Sequence, residues 1–225
     1  MSFDFRRFLS VSLISAAMAL PVMAQTAPQP ADTPADAAAA QPQIQPDLFL
    51  GAEDAPLTIY EYASYTCPHC ATFHQENLPK LKAEYIDTGK VRFALRDVYF
   101  DQVGLWAGIL ARCDSDKFYP VAGLLMEEQS DWLGAQNSQD LVANLRKIGA
   151  KAGMTGDQMD ACWNDQAQVA NLVATFQQNA EADKINATPT FMIGGEQVEN
   201  MAWDQLKARI DEKLAEAEAA APAAQ

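Results

Sequence analysis

The segment Cys67-Pro68-His69-Cys70 contains the residues best suited to chemistry in this sequence. Two cysteines separated by two residues at the start of a helix bring their sulfurs close enough to bond. The free amide hydrogens of the first helical turn, the positive end of the helix dipole and the adjacent His69 all favour a thiolate at the first position. We therefore predict that Cys67 is a nucleophile of low pKa and that Cys70, deeper in the helix, is the resolving thiol.

A CxxC pair has two other uses that stay open at this point. It can supply half of a zinc site, which would need two further ligands, and His69 and His74 are the histidines nearby. It can also form a plain structural disulfide, although so tight a ring is strained and easily reduced. We expect no metal and no cofactor, and we assign His74 to a helix surface.

The residues around the cysteines predict a strand, a helix and a second strand. Residues 57–63 are rich in β-branched and aromatic side chains and lead into the cysteine pair. Helical spacing of apolar residues then continues to about Thr88, and Pro79 predicts a kink or a break within it. Residues 91–96 alternate between core-type and mostly charged side chains, which predicts a strand partly covered on one face.

The rest of the chain predicts a helical block, a hairpin and a last helix. Residues 101–184 show recurring helical spacings and no convincing alternation, which predicts three to five helices. Two short strand-like runs follow, at 190–193 and 197–199, with the turn signal Gly194-Gly195 between them. An apolar stripe along residues 203–214 predicts an amphipathic helix. This order of elements indicates an α/β fold.

The two ends of the chain differ in composition from its middle. Two arginines, a short apolar stretch and small residues before Ala24 are typical of a signal peptide, and export would lead to an oxidising compartment, the periplasm. An Ala/Pro-rich stretch follows that cannot bury enough apolar surface to fold. The predicted divisions are a signal peptide (1–24), a disordered linker (25–45), one folded domain (46–216) and a disordered tail (217–225).

The charge of the chain argues against one class of partner. Its 30 acidic residues outnumber its 16 Lys and Arg residues and give a formal net charge of -14. Contacts with phosphate groups require clustered basic side chains, so we expect no nucleic-acid binding.

From about Asp47 to Leu214 the sequence resembles the DsbA family of exported thiol oxidases. The resemblance rests on CPHC after a strand that carries an acidic residue, then a helical insertion, and then Thr188-Pro189 before another strand. It implies a thioredoxin fold with an inserted helical domain at about 101–184. It also implies that Pro189 is cis and faces the cysteine pair, and that Thr188 meets the substrate backbone beside Cys67.

The resemblance assigns further site residues. Glu61 matches the family's acidic residue beneath the cysteines, which helps to move protons as the disulfide opens. The basic partner often found on the next strand has no clear match, because Leu95 occupies the aligned place and Arg96 adjoins it. Cys113 and Cys162 lie where many relatives carry cysteines, which favours a structural disulfide, with two buried free thiols as the alternative.

The function implied is dithiol oxidation through Cys67 and Cys70. The substrates would be unfolded or reduced exported proteins, and a membrane quinone-linked thiol oxidase would reoxidise the cysteine pair. A disulfide isomerase or reductase on the same fold is the main alternative, because Thr188 before the proline also occurs in isomerase-type relatives. A periplasmic protein that binds copper or zinc through the two thiols is a third hypothesis from a different class.

Overall fold

A computed structural model describes residues 41–220 of the chain. The predicted signal peptide and most of the predicted linker lie outside these residues. The strands are β1 (Phe49–Leu50), β2 (Leu57–Ala63), β3 (Val91–Asp97), β4 (Thr190–Ile193) and β5 (Glu196–Glu199). The helices are α1 (Pro68–Glu76), α2 (Leu78–Leu81), α3 (Gln102–Ala111), α4 (Phe118–Glu127), α5 (Gln129–Leu133), α6 (Ser138–Lys151), α7 (Gly156–Asn164), α8 (Gln166–Ala182) and α9 (Trp203–Ala220).

One sheet, in the order β1-β3-β2-β4-β5, forms the centre of the fold. Strands β2 and β3 are parallel, and the other neighbouring strands are antiparallel. A parallel pair needs a long crossover, which α1 and α2 provide. Strand β2 is the central strand of the sheet, and the cysteine segment follows its carboxyl end.

The helix after the cysteines breaks where the sequence predicts. Helix α1 ends at Glu76, and α2 begins at Leu78 with Pro79 in its first turn. Proline fits this place because the amides of a first helical turn have no partner within the helix. A π-helical turn at Lys82–Ile86 then completes the crossover.

The helical insertion contains more helices than predicted. Six α-helices, α3 to α8, and a 3-10 turn at Ser115–Lys117 lie within residues 101–184, all of which the structure describes. The prediction of three to five was wrong because short polar caps divide the apolar spacing into more segments. The side chains that cap these helices are Asp101, Asn137, Thr155 and Asp165.

Both ends of the folded domain extend beyond the predicted bounds. Strand β1 was not predicted, since two residues are too few to show alternation. Before it, Gln43 and Gln45 in the predicted linker donate backbone hydrogen bonds to side chains of α8. Helix α9 continues to Ala220, past the predicted boundary at 216, because alanine and glutamate favour helix there.

Membrane insertion has no candidate in the described part of the chain. Between residues 41 and 220, no helix combines the length and the apolar character that crossing a bilayer requires.

Candidate active site

Cys67 caps the amino end of α1. Its backbone is extended (φ -85°, ψ 117°), and Pro68 begins the helix. The Cys67 carbonyl accepts hydrogen bonds from the amides of Cys70 at 3.1 Å and Ala71 at 3.2 Å. The Cys67 sulfur therefore lies at the end of the helix where unpaired amide hydrogens point outward.

The structure shows both cysteines of the pair as free thiols, with Cys67 partly exposed and Cys70 buried. The Cys67 pKa is lowered to about 5, chiefly by a hydrogen bond from the Cys70 thiol, against the opposing effect of burial. The Thr188 side chain and the backbone amides of Cys70 and His69 lower it further. At neutral pH the exposed sulfur is thus a thiolate.

Cys70 has the opposite tendency. Its hydrogen bond to Cys67, its burial and the negative charge of Glu61 together raise the Cys70 pKa far above that of an ordinary thiol. Cys70 is fully shielded from solvent. The pair therefore holds one proton, located on the inner sulfur, and keeps its negative charge on the outer one.

The loop before β4 lies against the outer sulfur. The Thr188-Pro189 peptide bond is cis, as the family resemblance implies. The Thr188 carbonyl oxygen lies 3.4 Å from the Cys67 sulfur. Pro189 and Thr188 also line a depression of about 330 Å³ that includes His69 and the Asn200 end of the β4-β5 hairpin.

His69 acts on the Cys67 thiol through its backbone amide, whereas its side chain is exposed. Its amide is one of the groups that lower the Cys67 pKa. The predicted tuning by the imidazole of His69 stays a prediction. Pro68, the first residue of α1, is also exposed.

Glu61 lies in the middle of β2, with its side chain fully buried. Its register partners are Leu95 on β3 and Phe191 on β4, neither of which carries a charge. Arg96, the next residue of β3, instead forms ion pairs with Asp47 at 2.8 Å and Asp183 at 3.0 Å. The strand therefore supplies no cation to Glu61.

The partner of Glu61 is His74. The His74 Nε2 atom lies 2.9 Å from Glu61 Oε2, and the His74 side chain is only 5% exposed. The assignment of His74 to a helix surface was wrong. A helical position four residues after Cys70 shares the face of Cys70, and that spacing was the available signal.

Buried polar contacts hold the segment before Cys67, and sequence analysis missed all of them. The Gln129 side chain at the start of α5 donates to the carbonyls of Tyr65 at 2.8 Å and Cys67 at 3.0 Å. The Tyr65 hydroxyl donates to Asp97 at 2.9 Å, and Arg112 pairs with the same carboxylate at 2.8 Å. No sequence spacing indicates contacts between residues so far apart in the chain.

The other two cysteines are bonded to each other. Cys113 follows α3, Cys162 lies in α7, and a disulfide joins them across a separation of 49 residues. This is the pairing that the family resemblance implies. The disulfide lies within the helical insertion and involves neither residue of the CxxC pair.

The described residues offer little to a metal ion. Within residues 41–220, no group of three or more His, Cys, Asp or Glu side chains is placed to hold one.

Comparisons with known proteins agree with this geometry. A thioredoxin family model matches residues 43–212. Disulfide bond formation protein D of Bacillus subtilis is 30% identical over 189 residues, which cover 80% of this chain and 82% of that protein. A Rickettsia prowazekii protein provisionally named a protein-disulfide oxidoreductase is 32% identical, but the match covers 75% of this chain and only 61% of that longer protein.

A solved structure shows the same arrangement of elements. The crystal structure of Wolbachia pipientis alpha-DsbA1 matches with a TM-score of 0.70 at 26% identity, covering 79% of this chain and 96% of that one. The thioredoxin fold with a helical insertion, expected from the sequence, is confirmed. From its family match, its fold and its relatives, the chain belongs to the DsbA-type thiol-disulfide oxidoreductases of the thioredoxin superfamily.

Proposed function

We propose that this protein oxidises pairs of thiols in exported proteins by giving them the Cys67-Cys70 disulfide. The observation that carries the proposal is the contrast between the two sulfurs, with the pKa of Cys67 lowered to about 5 and that of Cys70 raised. A stable thiolate at Cys67 stabilises the reduced form. A site whose reduced form is stabilised gives its disulfide away readily.

The reaction proceeds in two exchange steps. A substrate thiolate attacks the Cys67 sulfur, the Cys67-Cys70 bond breaks, and Cys70 leaves as a thiolate that takes up a proton. The second substrate thiolate then attacks the substrate sulfur of the mixed disulfide, and Cys67 leaves as a stable thiolate. The substrate loses two electrons, and the CxxC pair gains them.

The loop at Thr188 provides a place for the substrate chain. Its carbonyl lies beside the Cys67 sulfur, and the adjoining depression is open to solvent. An extended peptide that passes Thr188 would exchange backbone hydrogen bonds there, a sequence-tolerant mode that suits varied substrates. Pro68 and His69 are exposed next to Cys67, and His69 lines the same depression as Thr188.

The location and the partners follow from the same proposal. The predicted signal peptide would bring the chain to the periplasm, where it would meet reduced exported proteins. A membrane quinone-linked thiol oxidase would return the CxxC pair to its disulfide form. The relative named for disulfide bond formation supports the oxidation step on which this location and these partners depend.

An exchange assay with two serine variants tests the proposal. The oxidised wild type is mixed with a reduced peptide that carries two cysteines, the reduced variants are mixed with the disulfide form of the same peptide, and the products are separated by mass. We expect the wild type to oxidise the peptide, the Cys67 thiolate of Cys70→Ser to attack the peptide disulfide and accumulate as a mixed disulfide, and the buried Cys70 of Cys67→Ser to form none. A mixed disulfide on Cys67→Ser as abundant as that on Cys70→Ser would remove the basis of the proposal.

Isomerisation is the second candidate, because Thr188 before the cis-proline is a residue that also occurs in isomerase-type relatives. Refolding of a substrate with scrambled disulfides separates the two activities. An oxidase should leave the fraction of natively paired substrate nearly unchanged, whereas an isomerase should raise that fraction without added oxidant.

A further inference from the structure

Glu61 is held in an unusual way for a buried carboxylate. It is 0% exposed, and its Oε2 atom contacts His74 Nε2 at 2.9 Å. Its other oxygen, Oε1, has no hydrogen-bond partner in the described structure. Burying a carboxylate with one unpaired oxygen destabilises the folded state, and an apolar residue at this position would avoid that cost. The presence of Glu61 therefore favours a functional role over a purely structural one.

The surroundings of Glu61 connect it to the inner cysteine. Its charge acts on the Cys70 thiol of α1 and on the Tyr119 hydroxyl of α4, and it raises the pKa of both. The Tyr119 hydroxyl is already bonded, donating to the Leu48 carbonyl at 2.7 Å. Cys70 is therefore the group near Glu61 whose protonation changes during disulfide exchange.

Helix α1 aligns this set of groups. Cys70 and His74 are four residues apart, so they lie one above the other on one face of α1, from which the His74 ring reaches Glu61 of β2. His74 is the outer member, since its side chain is 5% exposed while Cys70 and Glu61 are 0% exposed. A proton from solvent can thus reach Glu61 by way of the imidazole ring.

We propose that His74 is a positioning residue which, through Glu61, delivers a proton to Cys70 when the disulfide opens and removes it when the disulfide reforms. This inference rests on the proposed function, since it concerns a step of disulfide exchange. Strand β3 offers Glu61 no basic partner, and the helix that carries the cysteines supplies the hydrogen-bond partner instead.

Electrons and protons balance in this transfer. The electron pair of the broken S–S bond goes to Cys70, which becomes a buried thiolate. His74 Nε2 gives a proton to Glu61, and the Glu61 carboxyl group gives a proton to the Cys70 sulfur. His74 then regains a proton from solvent, and reoxidation runs the same transfers in reverse.

The pH dependence of a single turnover tests the proposal. Reduction of the oxidised protein by a small dithiol is followed from pH 5 to pH 9 for the wild type, His74→Gln and Glu76→Gln. Glu76 is exposed on the same helix and serves as the matched control. We expect His74→Gln to slow the reaction by about 10²-fold, the lower end for a positioned acid–base group, and to flatten the pH profile. Superimposable profiles for His74→Gln and the wild type would overturn the proposal.

A double variant tests whether His74 acts through Glu61. Glu61→Gln combined with His74→Gln removes the buried charge and leaves two amides that can bond to each other. If the two residues act in one transfer, the double variant is no slower than the slower of the two single variants. If the two slowing factors multiply, His74 acts independently of Glu61, and the proposal is overturned.

Failure of the proposed function would give a different result. In that case the wild type itself would not transfer its disulfide to a peptide dithiol, whatever the state of His74. Titration of Cys67 in His74→Gln provides the second check. An unchanged thiolate with a slowed exchange assigns the defect to the inner sulfur.

Discussion

At the scale of single residues, the site depends on an unequal sharing of one proton. Cys67 and Cys70 have the same side chain, yet the structure lowers the pKa of one and raises that of the other. Position explains the difference, because the outer sulfur meets amide hydrogens while the inner sulfur meets Glu61 and the core. The motif CPHC supplies the two thiols, and their positions at the helix end and beside the sheet determine the pKa of each.

Thr188 offers the most direct test of a single contact at this scale. Its side chain is among the groups that lower the Cys67 pKa, so Thr188→Val should raise that pKa by roughly one unit, given about 1.5 kcal/mol for a hydrogen bond to a charged group. A higher pKa makes the protein a weaker oxidant. Titration of the thiolate measures the change, and Thr88→Val, on a remote turn, should leave it unaltered.

At the scale of elements, the active-site segment is fixed by helices from the insertion. Gln129 of α5 donates to two carbonyls of this segment, and it is 7% exposed. Gln129→Leu removes the Gln129 hydrogen bond from the buried Tyr65 carbonyl, whereas the Cys67 carbonyl keeps its bonds from the Cys70 and Ala71 amides. The loss should cost about 1–3 kcal/mol. Urea unfolding measures the loss. Gln139→Leu, at an exposed place in α6, is the control and should unfold at nearly the wild-type concentration.

The disulfide of the insertion belongs to the same scale. Replacing Cys113 and Cys162 by serine opens a loop of 49 residues and should lower the free energy of unfolding by about 2–4 kcal/mol. Transfer of the Cys67-Cys70 disulfide should persist, because the two sites share no residue. Loss of transfer in a variant that still folds would show that the second disulfide takes part in exchange.

At the scale of the whole molecule, the thiolate links redox state to stability. The Cys67 pKa is about 5 in the folded reduced protein, against an ordinary value of 9.0. The reduced form therefore gains stability as pH rises above about 5 and loses that gain as pH falls through about 5. The oxidised form has no titrating Cys67.

Unfolding of both redox forms across this range tests the linkage. We expect the reduced protein to be the more stable at pH 7 and the difference to shrink steadily towards pH 5. The Cys113→Ser, Cys162→Ser background keeps the reductant from acting on the second disulfide. Equal stability of the two forms at pH 7, or a difference that grows on acidification, would contradict the expected direction of the pH effect.

The whole fold also shows what the sequence could and could not predict. Strand β2, the break at Pro79 and the β4-β5 hairpin follow from local patterns, so they were foreseen. His74, Gln129 and Arg112 were not, because their partners lie on other elements and no local pattern records a contact across the fold. The number of helices in the insertion was underestimated because the spacing of apolar residues does not reveal where a capping residue ends one helix and begins the next.

The proposed oxidation requires that the Cys67 sulfur is an anion at neutral pH, and an absorbance titration of the thiolate measures this directly. The reduced protein is titrated from acid to alkaline pH, with Cys67→Ser as the blank. We predict a single transition with a midpoint at pH about 5 that is absent from the blank. A midpoint near the ordinary thiol value of 9.0 would contradict the proposed mechanism.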